Sequence, residues 1–349
     1  MKALLLSEYN HLEIADLPIP VPAPDELLIQ IAACGICGSD VHGFDGSTGR
    51  RIPPIVMGHE AAGTILEAGS SVTRFKAGDR VTFDSTVFCG ACPFCLQGDI
   101  NLCNNRQVLG VSCGEYSRAG AFADFVTVPD RIAFPLPDEL SFAEAAMLEA
   151  VSVALHGVAV SQMQGGETVL VIGAGMIGLL LLQSARAAGA SRVFIADVDP
   201  TRLELAASLG ADETILASGT DLVGRILSAT DNAGVDIVLE AVGLNDTIAT
   251  AIDAVRKGGT VTLVGNVTPH VSLPLQKVVS RQIRLQGSCA SAGEYPLAMR
   301  LIADGKIKVA PLITAIAPLT DGPSWFSRLH AREPNLMKIV IDPRLEESK

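Results

Sequence analysis

Four cysteines lie close together in the first third of the chain, at a spacing that suits a metal ion. They form the pattern C-x2-C-x2-C-x7-C, and they are Cys89, Cys92, Cys95 and Cys103. Zinc prefers four soft ligands in a tetrahedron, and the short spacings let tight turns direct successive thiolates to one point. Since four thiolates leave no open position, we expect this lobe, residues 89–103, to hold a structural zinc. An iron–sulfur cluster is the competing interpretation, because C-x2-C-x2-C also occurs in ferredoxins.

A glycine-rich segment in the middle of the chain predicts a dinucleotide site. The strand-like run Val169–Ile172 leads into Gly173-x-Gly175-x-x-Gly178, which an apolar helical stretch follows. Gly173 permits the tight turn, Gly175 lets the backbone approach a pyrophosphate, and Gly178 lets helix and strand pack closely. The strand, the helix and a downstream acid together are far more specific than the glycines alone. A flavodoxin-like sheet with an accidental glycine turn is the alternative.

The downstream acid is Asp197, at the end of the next strand-like run, Arg192–Asp197. A carboxylate there can accept hydrogen bonds from the adenosine ribose and repels a 2′-phosphate, which favours NAD over NADP. Arg202 lies nearby, and we expect it to flank the adenine. The predicted cofactor-binding residues are Gly173, Gly175, Met176, Ile177, Gly178, Asp197, Arg202, Val242, Val264 and Gly265.

The elements that must position these residues change in character along the chain. Residues 1–148 are rich in Gly and Pro, with short strand-like runs between turn signals, and predict an irregular, mostly antiparallel β domain. In residues 149–289 strand-like runs alternate with helical stretches, which predicts βαβ units and a parallel sheet. The tail, 290–349, holds one helical stretch, Tyr295–Asp304, and one strand-like run, Met337–Ile341, and we assign it to the first domain. The nucleotide domain is then an insertion, and we expect the site in the cleft between domains.

Composition narrows the classes of function. The 349 residues are enough for two domains, and 48% hydrophobic residues permit a sizeable core. The formal net charge of −12 argues against nucleic acids and anionic membranes as partners. Neither a signal peptide nor a membrane span is visible, and clustered cysteines in a reducing compartment suggest metal before disulfide. We therefore expect a cytoplasmic protein that acts on a small molecule.

The segment Gly58–Val72, with the pattern G-H-E-A-A-G-x5-G-x2-V, resembles the zinc-enzyme signature of the medium-chain dehydrogenase/reductase superfamily. Gly78–Val81, the cysteine lobe and the glycine fingerprint follow in that family's order, so the resemblance covers nearly the whole chain. It implies an α/β fold in which a Rossmann doubly wound parallel sheet is inserted into a GroES-like, mostly antiparallel β catalytic domain. It also implies an NAD-dependent dehydrogenase with one catalytic and one structural zinc. A zinc-free quinone reductase of the same superfamily would lack both the lobe and Cys37.

The resemblance assigns the catalytic zinc to Cys37, His59 and Glu60, with Glu60 as a third or exchangeable ligand. A thiolate, an imidazole and a carboxylate suit zinc, and an incomplete protein shell leaves room for substrate. Glu149 is implied as a further ligand, because its segment is similar to that of sorbitol-type dehydrogenases, where a Glu replaces the Cys of simple alcohol dehydrogenases. Ala150 stands where that segment usually has Pro.

The same resemblance implies a mechanism. Zinc as a Lewis acid lowers the pKa of a bound hydroxyl, as it lowers that of water to about 7, and the alkoxide then releases a hydride to the nicotinamide. Ser39 is expected to start a proton relay through the cofactor ribose to His42, whose unperturbed pKa is about 6.5. Asp40 could accept a hydrogen bond from the second ring nitrogen of His59. Lys338 matches a basic position beside the zinc-site glutamate.

Glu149 favours a secondary alcohol of a polyol, sugar alcohol or sugar acid as substrate. Sorbitol-type enzymes often carry an Arg and aromatic residues after the last nucleotide-domain strand, whereas Gly287–Gly293 holds small residues only. Threonine and simple secondary alcohols are alternative substrates, and a non-catalytic zinc-binding paralogue is an alternative of another class. A homodimer or homotetramer is expected, because strands around 269–274 and 282–287 often extend the sheet across a two-fold axis in this family.

Overall fold

The computed structural model describes residues 1–346, and they divide into two compact units. The first unit comprises Met1–Glu149, Tyr295–Ala303 and the described chain from Val309 onwards. The second unit comprises Ala150–Glu294 and Asp304–Lys308. The chain therefore leaves the first unit after Glu149, builds most of the second, and returns at Tyr295, with one short second excursion at Asp304–Lys308.

Strands and helices are numbered in chain order. The strands are β1 Lys2–Glu8, β2 His11–Asp16, β3 Glu26–Gly35, β4 Ile55–Val56, β5 Glu60–Ala68, β6 Arg80–Phe83, β7 Thr86–Val87, β8 Gln107–Val108, β9 Val111–Ser112, β10 Ser117–Arg118, β11 Phe125–Pro129, β12 Ala133–Pro135, β13 Thr168–Ile172, β14 Arg192–Asp197, β15 Glu213–Leu216, β16 Val235–Glu240, β17 Val255–Leu263, β18 Arg284–Gly287, β19 Ile313–Ala317 and β20 Lys338–Ile341. The α-helices are α1 Gly38–Phe44, α2 Pro93–Gln97, α3 Phe142–Ala146, α4 Leu148–Val160, α5 Met176–Ala187, α6 Pro200–Ser208, α7 Leu222–Ala229, α8 Asn245–Ala254, α9 Leu275–Ser280, α10 Tyr295–Ala303 and α11 Gly322–His330. Within 1–346, none of these helices has the length and apolarity to cross a membrane.

A seven-stranded, mostly antiparallel sheet lies at the centre of the first unit. Its order is β12-β6-β5-β3-β20-β19, with β11 also paired to β3, and only β19 and β20 run parallel. Alternate residues of β3, such as Leu27, Ile29 and Ile31, point into the main core and are fully buried. On the other face, Ala33 packs against Ala146 of α3. This architecture confirms the predicted antiparallel β domain.

A six-stranded parallel sheet forms the second unit. Its order, β15-β14-β13-β16-β17-β18, corresponds to 3-2-1-4-5-6 when the strands are numbered in sequence. That order is the doubly wound arrangement of dinucleotide-binding proteins, in which the strand order reverses between β13 and β16. The central strand, Val169–Ile172, is almost completely buried, because helices cover both faces of such a sheet. The predicted Rossmann sheet is confirmed.

The turn after β13 shows why its glycines are needed. Gly173 has a φ of +97°, a left-handed conformation that favours glycine, and Gly175 caps the N-terminus of α5. A Cβ at Gly178 would overlap the carbonyl oxygen of Gly173, whereas a Cβ at Gly175 would meet no atom within 4 Å. Gly178 therefore serves helix–strand packing, and Gly175 keeps the space above the turn open.

The tail contains more structure than the sequence predicted. Two of its elements were missed, strand β19 and helix α11, and helix α1 was also not predicted. The helix α11 has Pro at its first turn, and its Phe326 is fully buried against the rings of Phe44 and Phe122. Tertiary packing between aromatic rings, rather than a local pattern, thus stabilises this part of the chain.

The Gly178 position gives a direct test of the turn. We expect Gly178→Ala to lower the free energy of unfolding by about 1–3 kcal/mol or more, because the added methyl group overlaps a backbone atom. Gly175→Ala is the matched control and should leave the melting temperature unchanged, since its Cβ lies in open space. Thermal unfolding of both variants measures the difference, and equal melting temperatures would contradict this account of the turn.

Candidate active site and structural metal site

The four cysteines of the lobe converge on one point. Their sulfur atoms all lie within 4.8 Å of one another. The Sγ of Cys95 is 3.5 Å from that of Cys92 and 3.9 Å from that of Cys89. A zinc–sulfur bond of about 2.3 Å in a tetrahedron places sulfur atoms about 3.8 Å apart. The geometry therefore fits a single tetrahedral ion, and the spacing is far too long for a disulfide, whose sulfurs are about 2 Å apart.

The electrostatics of the lobe also suit a cation. Backbone N–H groups of Ala91 and Cys92 donate to the Sγ of Cys89 and lower the pKa of that thiol to about 6. Burial and the neighbouring thiol of Cys92 instead raise the pKa of Cys95 to about 12. Four thiolates so close together repel one another, and a divalent cation removes that repulsion. The residues present fit the structural zinc that the sequence predicted.

A second cluster brings together Cys37, His59 and Glu60. Cys37 immediately precedes helix α1, while Glu60 begins strand β5 with His59 just before it. One ligand atom from each residue lies within 4.8 Å of the other two. His59 and Glu60 are buried, whereas Cys37 keeps partial exposure. A thiolate, an imidazole and a carboxylate so placed suit a zinc ion with an incomplete protein shell.

Asp40 fixes the orientation of the His59 ring. Its Oδ1 lies 3.3 Å from the Nδ1 of His59, and its Oδ2 accepts the backbone N–H of Cys37 at 3.2 Å. Burial raises the pKa of Asp40, but the charges of His59 and Arg51 outweigh it, and the pKa falls to about 2. Nδ1 faces this carboxylate at ion-pair distance but without hydrogen-bond geometry, so Nε2 is the nitrogen left for a metal and the expected hydrogen bond stays a prediction.

Sequence reasoning missed Arg51, which completes this arrangement. Its guanidinium is almost completely buried, with Nη2 3.2 Å from Asp40 Oδ1 and 3.4 Å from Ser39 Oγ. Gly43 makes the close approach possible, since a Cβ there would overlap Arg51 Cγ. In the sequence Arg50-Arg51 looks like a solvated polar loop, and no local pattern distinguishes the buried arginine from the exposed one.

Glu60 is held by a cation from the far end of the chain. The Nζ of Lys338 lies 2.5 Å from Glu60 Oε2 and donates to the carbonyl oxygen of Ile36 at 3.2 Å. Both charged side chains are buried. Gly35 leaves space for the carboxylate, because a Cβ there would overlap Glu60 Oε2. The contact that the resemblance implied for Lys338 is present.

Glu149 lies outside the three-residue cluster that the structure brings together within residues 1–346. It is the second residue of α4, and it is half-buried. Burial raises its pKa to about 7, while the charge of His59 lowers it and that of Glu60 raises it. Glu149 therefore responds to the charges of the cluster, and direct ligation remains a prediction.

Another residue that sequence reasoning did not single out is Tyr295. It is fully buried, its ring stacks on Phe134 at 5.0 Å, and its hydroxyl has no hydrogen-bond partner among the described residues. Burial raises its pKa, and the charges of Asp84, Glu149 and Glu60 raise it further. Tyr295 thus adds a neutral polar group near the carboxylates of the first unit.

The two relay residues share one face of α1. Ser39 and His42 are three positions apart, a spacing that places side chains on the same side of a helix, and both are exposed. Asp40, between them in sequence, is buried on the opposite side. Arg51 connects the two sides of the helix, since its Nη2 contacts both Ser39 Oγ and Asp40 Oδ1.

The predicted cofactor residues gather at the carboxyl end of the parallel sheet. Asp197 Oδ2 accepts the N–H of Ala174 at 2.5 Å, and its Oδ1 accepts that of Asp199 at 2.9 Å. Arg202 lies 3.5 Å from Asp199, and Met176 and Ile177 form the first turn of α5. The positive end of the α5 dipole and the open space at the glycine turn fit a pyrophosphate.

Comparison with known proteins agrees with this geometry. Residues 23–138 match the alcohol dehydrogenase GroES-like domain, and residues 177–304 match the zinc-binding dehydrogenase family. The chain is 33% identical to the sorbitol dehydrogenase of Bacillus subtilis over 347 residues, which cover 98% of this chain and 97% of that protein. This protein belongs to the zinc-containing medium-chain dehydrogenase/reductase superfamily. It is an oxidoreductase of the sorbitol dehydrogenase-like branch.

Two further relatives show the range of this branch. L-idonate 5-dehydrogenase of Vitis vinifera is 37% identical over 321 residues, which cover 90% of this chain and 86% of that protein. The crystal structure of a zinc-binding dehydrogenase from Sinorhizobium meliloti bound to NADP is 34% identical, with a TM-score of 0.90. That likeness covers 98% of this chain and 99% of the other. The zinc and the nicotinamide dinucleotide that the sequence predicted are cofactors of this family.

Removing the charge of Arg51 tests the buried network. We expect Arg51→Met to lower the free energy of unfolding by about 3–5 kcal/mol, because Asp40 then loses a buried ionic partner. The variant should also lose zinc to a chelator faster than the wild type, since Asp40 orients His59. Arg50→Met is the matched control, because Arg50 is exposed. Urea unfolding and metal analysis during dialysis measure both effects, and identical behaviour of the two variants would contradict the role of Arg51.

Proposed function

We propose that this chain oxidises a secondary alcohol of a polyol, sugar alcohol or sugar acid to a ketone and passes the hydride to NAD. The cluster of Cys37, His59 and Glu60 carries the proposal, because three protein ligands leave a coordination position for a substrate oxygen. The four cysteines of the lobe leave no such position. Relatives named for sorbitol and L-idonate support a polyhydroxylated substrate.

When bound, zinc supplies Lewis acidity that lowers the pKa of an alcohol, and the nicotinamide supplies the hydride acceptor. The residues of the chain prepare that chemistry. Asp40 keeps the His59 ring in one orientation, and Lys338 keeps the Glu60 carboxylate in place. We propose that Ser39 accepts the alcohol proton and that His42, exposed on the same face of α1, returns it to solvent. Arg51 donates to Ser39 Oγ and so limits the directions in which the hydroxyl proton can point.

NAD is the proposed dinucleotide because of Asp197. Its carboxylate is half-buried beside the glycine turn. This negative charge would repel the 2′-phosphate that NADP carries on its adenosine ribose and that NAD lacks. Arg202, the nearest candidate to accept a 2′-phosphate, is already paired with Asp199. The Sinorhizobium meliloti relative binds NADP, so the choice between the two dinucleotides depends on individual residues within this family.

A substrate screen tests the proposed function. Polyols, sugar acids, threonine and short alcohols are each offered with NAD and with NADP, and the reduced nicotinamide is followed by its absorbance. We expect turnover with secondary alcohols of polyols or sugar acids, and NAD preferred over NADP. Activity with primary aliphatic alcohols alone would overturn the proposed substrate class. A preference for NADP would overturn the role given to Asp197.

Glu149 is the residue on which the proposed substrate class depends most. We expect Glu149→Gln to lower turnover about 10–100-fold with the zinc content unchanged, because the other ligands remain and Glu149 acts beside them. Glu139→Gln, an exposed carboxylate close in sequence, is the control and should keep full activity. Turnover and zinc are measured separately. Unchanged turnover would remove Glu149 from the site, and loss of one zinc would show that it is a direct ligand.

We also propose that the chain forms a homodimer or homotetramer. Strand β18 lies at the edge of the parallel sheet, and an exposed edge strand can pair with a second copy. Leu275 and Val279 of helix α9, which precedes β18 in the chain, are 61% and 70% exposed, and pairing with a second copy at this edge would bury apolar surface. A cytoplasmic location is proposed as well, because zinc-binding thiolates are stable in a reducing compartment.

A further inference from the structure

One buried carboxylate of the parallel sheet has no role in the chemistry described above. Glu240 ends strand β16, and its side chain is completely inaccessible to solvent. Within the described chain no basic side chain pairs with it. Burial raises the pKa of Glu240, while the N–H group of Gly243, the hydroxyl of Thr247 and the N–H group of Val242 lower that pKa. A buried charge without a counter-ion is costly, so its partners indicate what it stabilises.

Two of those partners are backbone N–H groups of a single turn, and the third is the hydroxyl of Thr247 in the first turn of α8. The N–H of Val242 donates to Glu240 Oε1 at 3.0 Å, and the N–H of Gly243 donates to both carboxylate oxygens, at 2.9 and 3.0 Å. The side chain therefore fixes the conformation of residues 241–244, the turn between β16 and α8.

The main chain of Glu240 holds a second turn. Its carbonyl oxygen accepts the N–H of Val264 at 2.9 Å and that of Gly265 at 3.0 Å. Glu240 thus bonds, through side chain or main chain, to Val242, Val264 and Gly265, the three cofactor residues predicted for this half of the sheet. One residue organises that entire half of the predicted binding surface.

The two turns are packed too closely to move independently. Gly243 has a φ of +83°, and a Cβ there would lie 2.5 Å from the backbone nitrogen of Asn266. A Cβ at Gly265 would overlap the backbone nitrogen of Val242. Backbone thus lies directly on backbone, and a shift of the first turn displaces the second.

The first turn also contacts the glycine fingerprint. A Cβ at Gly173 would lie 2.7 Å from Val242 Cγ2, and the N–H of Ala241 donates to the carbonyl oxygen of Ile172 at 2.9 Å. This contact is at the point where strand order reverses, between β13 and β16. In doubly wound sheets a dinucleotide binds across that point, with one mononucleotide half on each side. The α5 side takes the pyrophosphate and adenosine, so the turn held by Glu240 faces the nicotinamide half.

We infer that Glu240 is a positioning residue for the nicotinamide half of the dinucleotide, acting through the turns 241–244 and 264–266. The inference rests on the proposed binding of a nicotinamide dinucleotide. A glutamine has the same shape but offers only one accepting oxygen, and its amide N–H groups face the N–H groups of the turn. The turn then loses its fixed conformation, while the adenosine side of the sheet is left intact.

Comparing NADH, which fills both halves of the site, with AMP, which fills only the adenosine half, distinguishes this role from a general loss of stability. We expect Glu240→Gln to raise the dissociation constant of NADH about tenfold or more, which corresponds to the loss of about one hydrogen bond to a charged group. The dissociation constant of AMP, which occupies the adenosine half only, should stay within about twofold of the wild-type value. Titration calorimetry measures both, and hydrogen exchange at residues 241–244 should become faster.

Asp236→Asn is the matched control. Asp236 lies on the same strand at its opposite end, where its carboxylate accepts the N–H of Thr168 and pairs with Arg256. This variant should leave the affinities for NADH and AMP unchanged. An NADH affinity of Glu240→Gln equal to the wild type, or an equal loss for NADH and AMP, would overturn the inference.

If the proposed function is wrong, the wild type itself binds neither NADH nor AMP. That result is distinct from the outcomes that would overturn the role of Glu240. If Glu240→Gln does not fold, Glu240→Asp serves instead, because it keeps the charge but withdraws the carboxylate from the turn. The ratio of the NADH to the AMP dissociation constant should rise in that variant too. An unchanged ratio would overturn the inference.

Discussion

Charges that leave water must be paired, and the candidate active site depends on this constraint. Around His59 two ion pairs are buried, Asp40 with Arg51 and Glu60 with Lys338. Each pair costs desolvation, and replacing such a pair with apolar groups often leaves stability unchanged. Here each pair holds a side chain that faces the metal cluster. The pairs are therefore better explained by the orientation of ligands than by stability.

This constraint also accounts for much of the fold of the first unit. Lys338 and Glu60 are separated by 278 residues, so the tail must return to the sheet that carries Glu60. Strand β20 does so by pairing with β3, which lies beside β5 in the sheet. The second unit is built between these two parts of the chain. The number of residues in the second unit is thus independent of the metal cluster, as long as β20 returns to pair with β3.

The sequence predicted best where a backbone constraint demands one residue type. Gly173 and Gly178 are needed by the turn itself, and four cysteines at short spacing predict a metal site, so both features could be found without a structure. The sequence predicted least where two distant segments meet. The burial of Arg51 depends on the space above Gly43, and helix α11 depends on packing of Phe326. Such contacts leave no periodic signal, because each partner is ordinary in its own segment.

Both units support their sites with carboxylates that are buried or half-buried, but the partners differ. In the first unit, Asp40 and Glu60 face cations, so their charge is balanced and remains available to orient metal ligands. In the second unit, Asp197 and Glu240 face backbone N–H groups of the turns that line the sheet edge. A metal ligand needs a fixed direction, which a paired side chain provides, whereas a dinucleotide needs a fixed surface. A carboxylate that collects several N–H groups fixes such a surface, because it determines the path of the backbone itself.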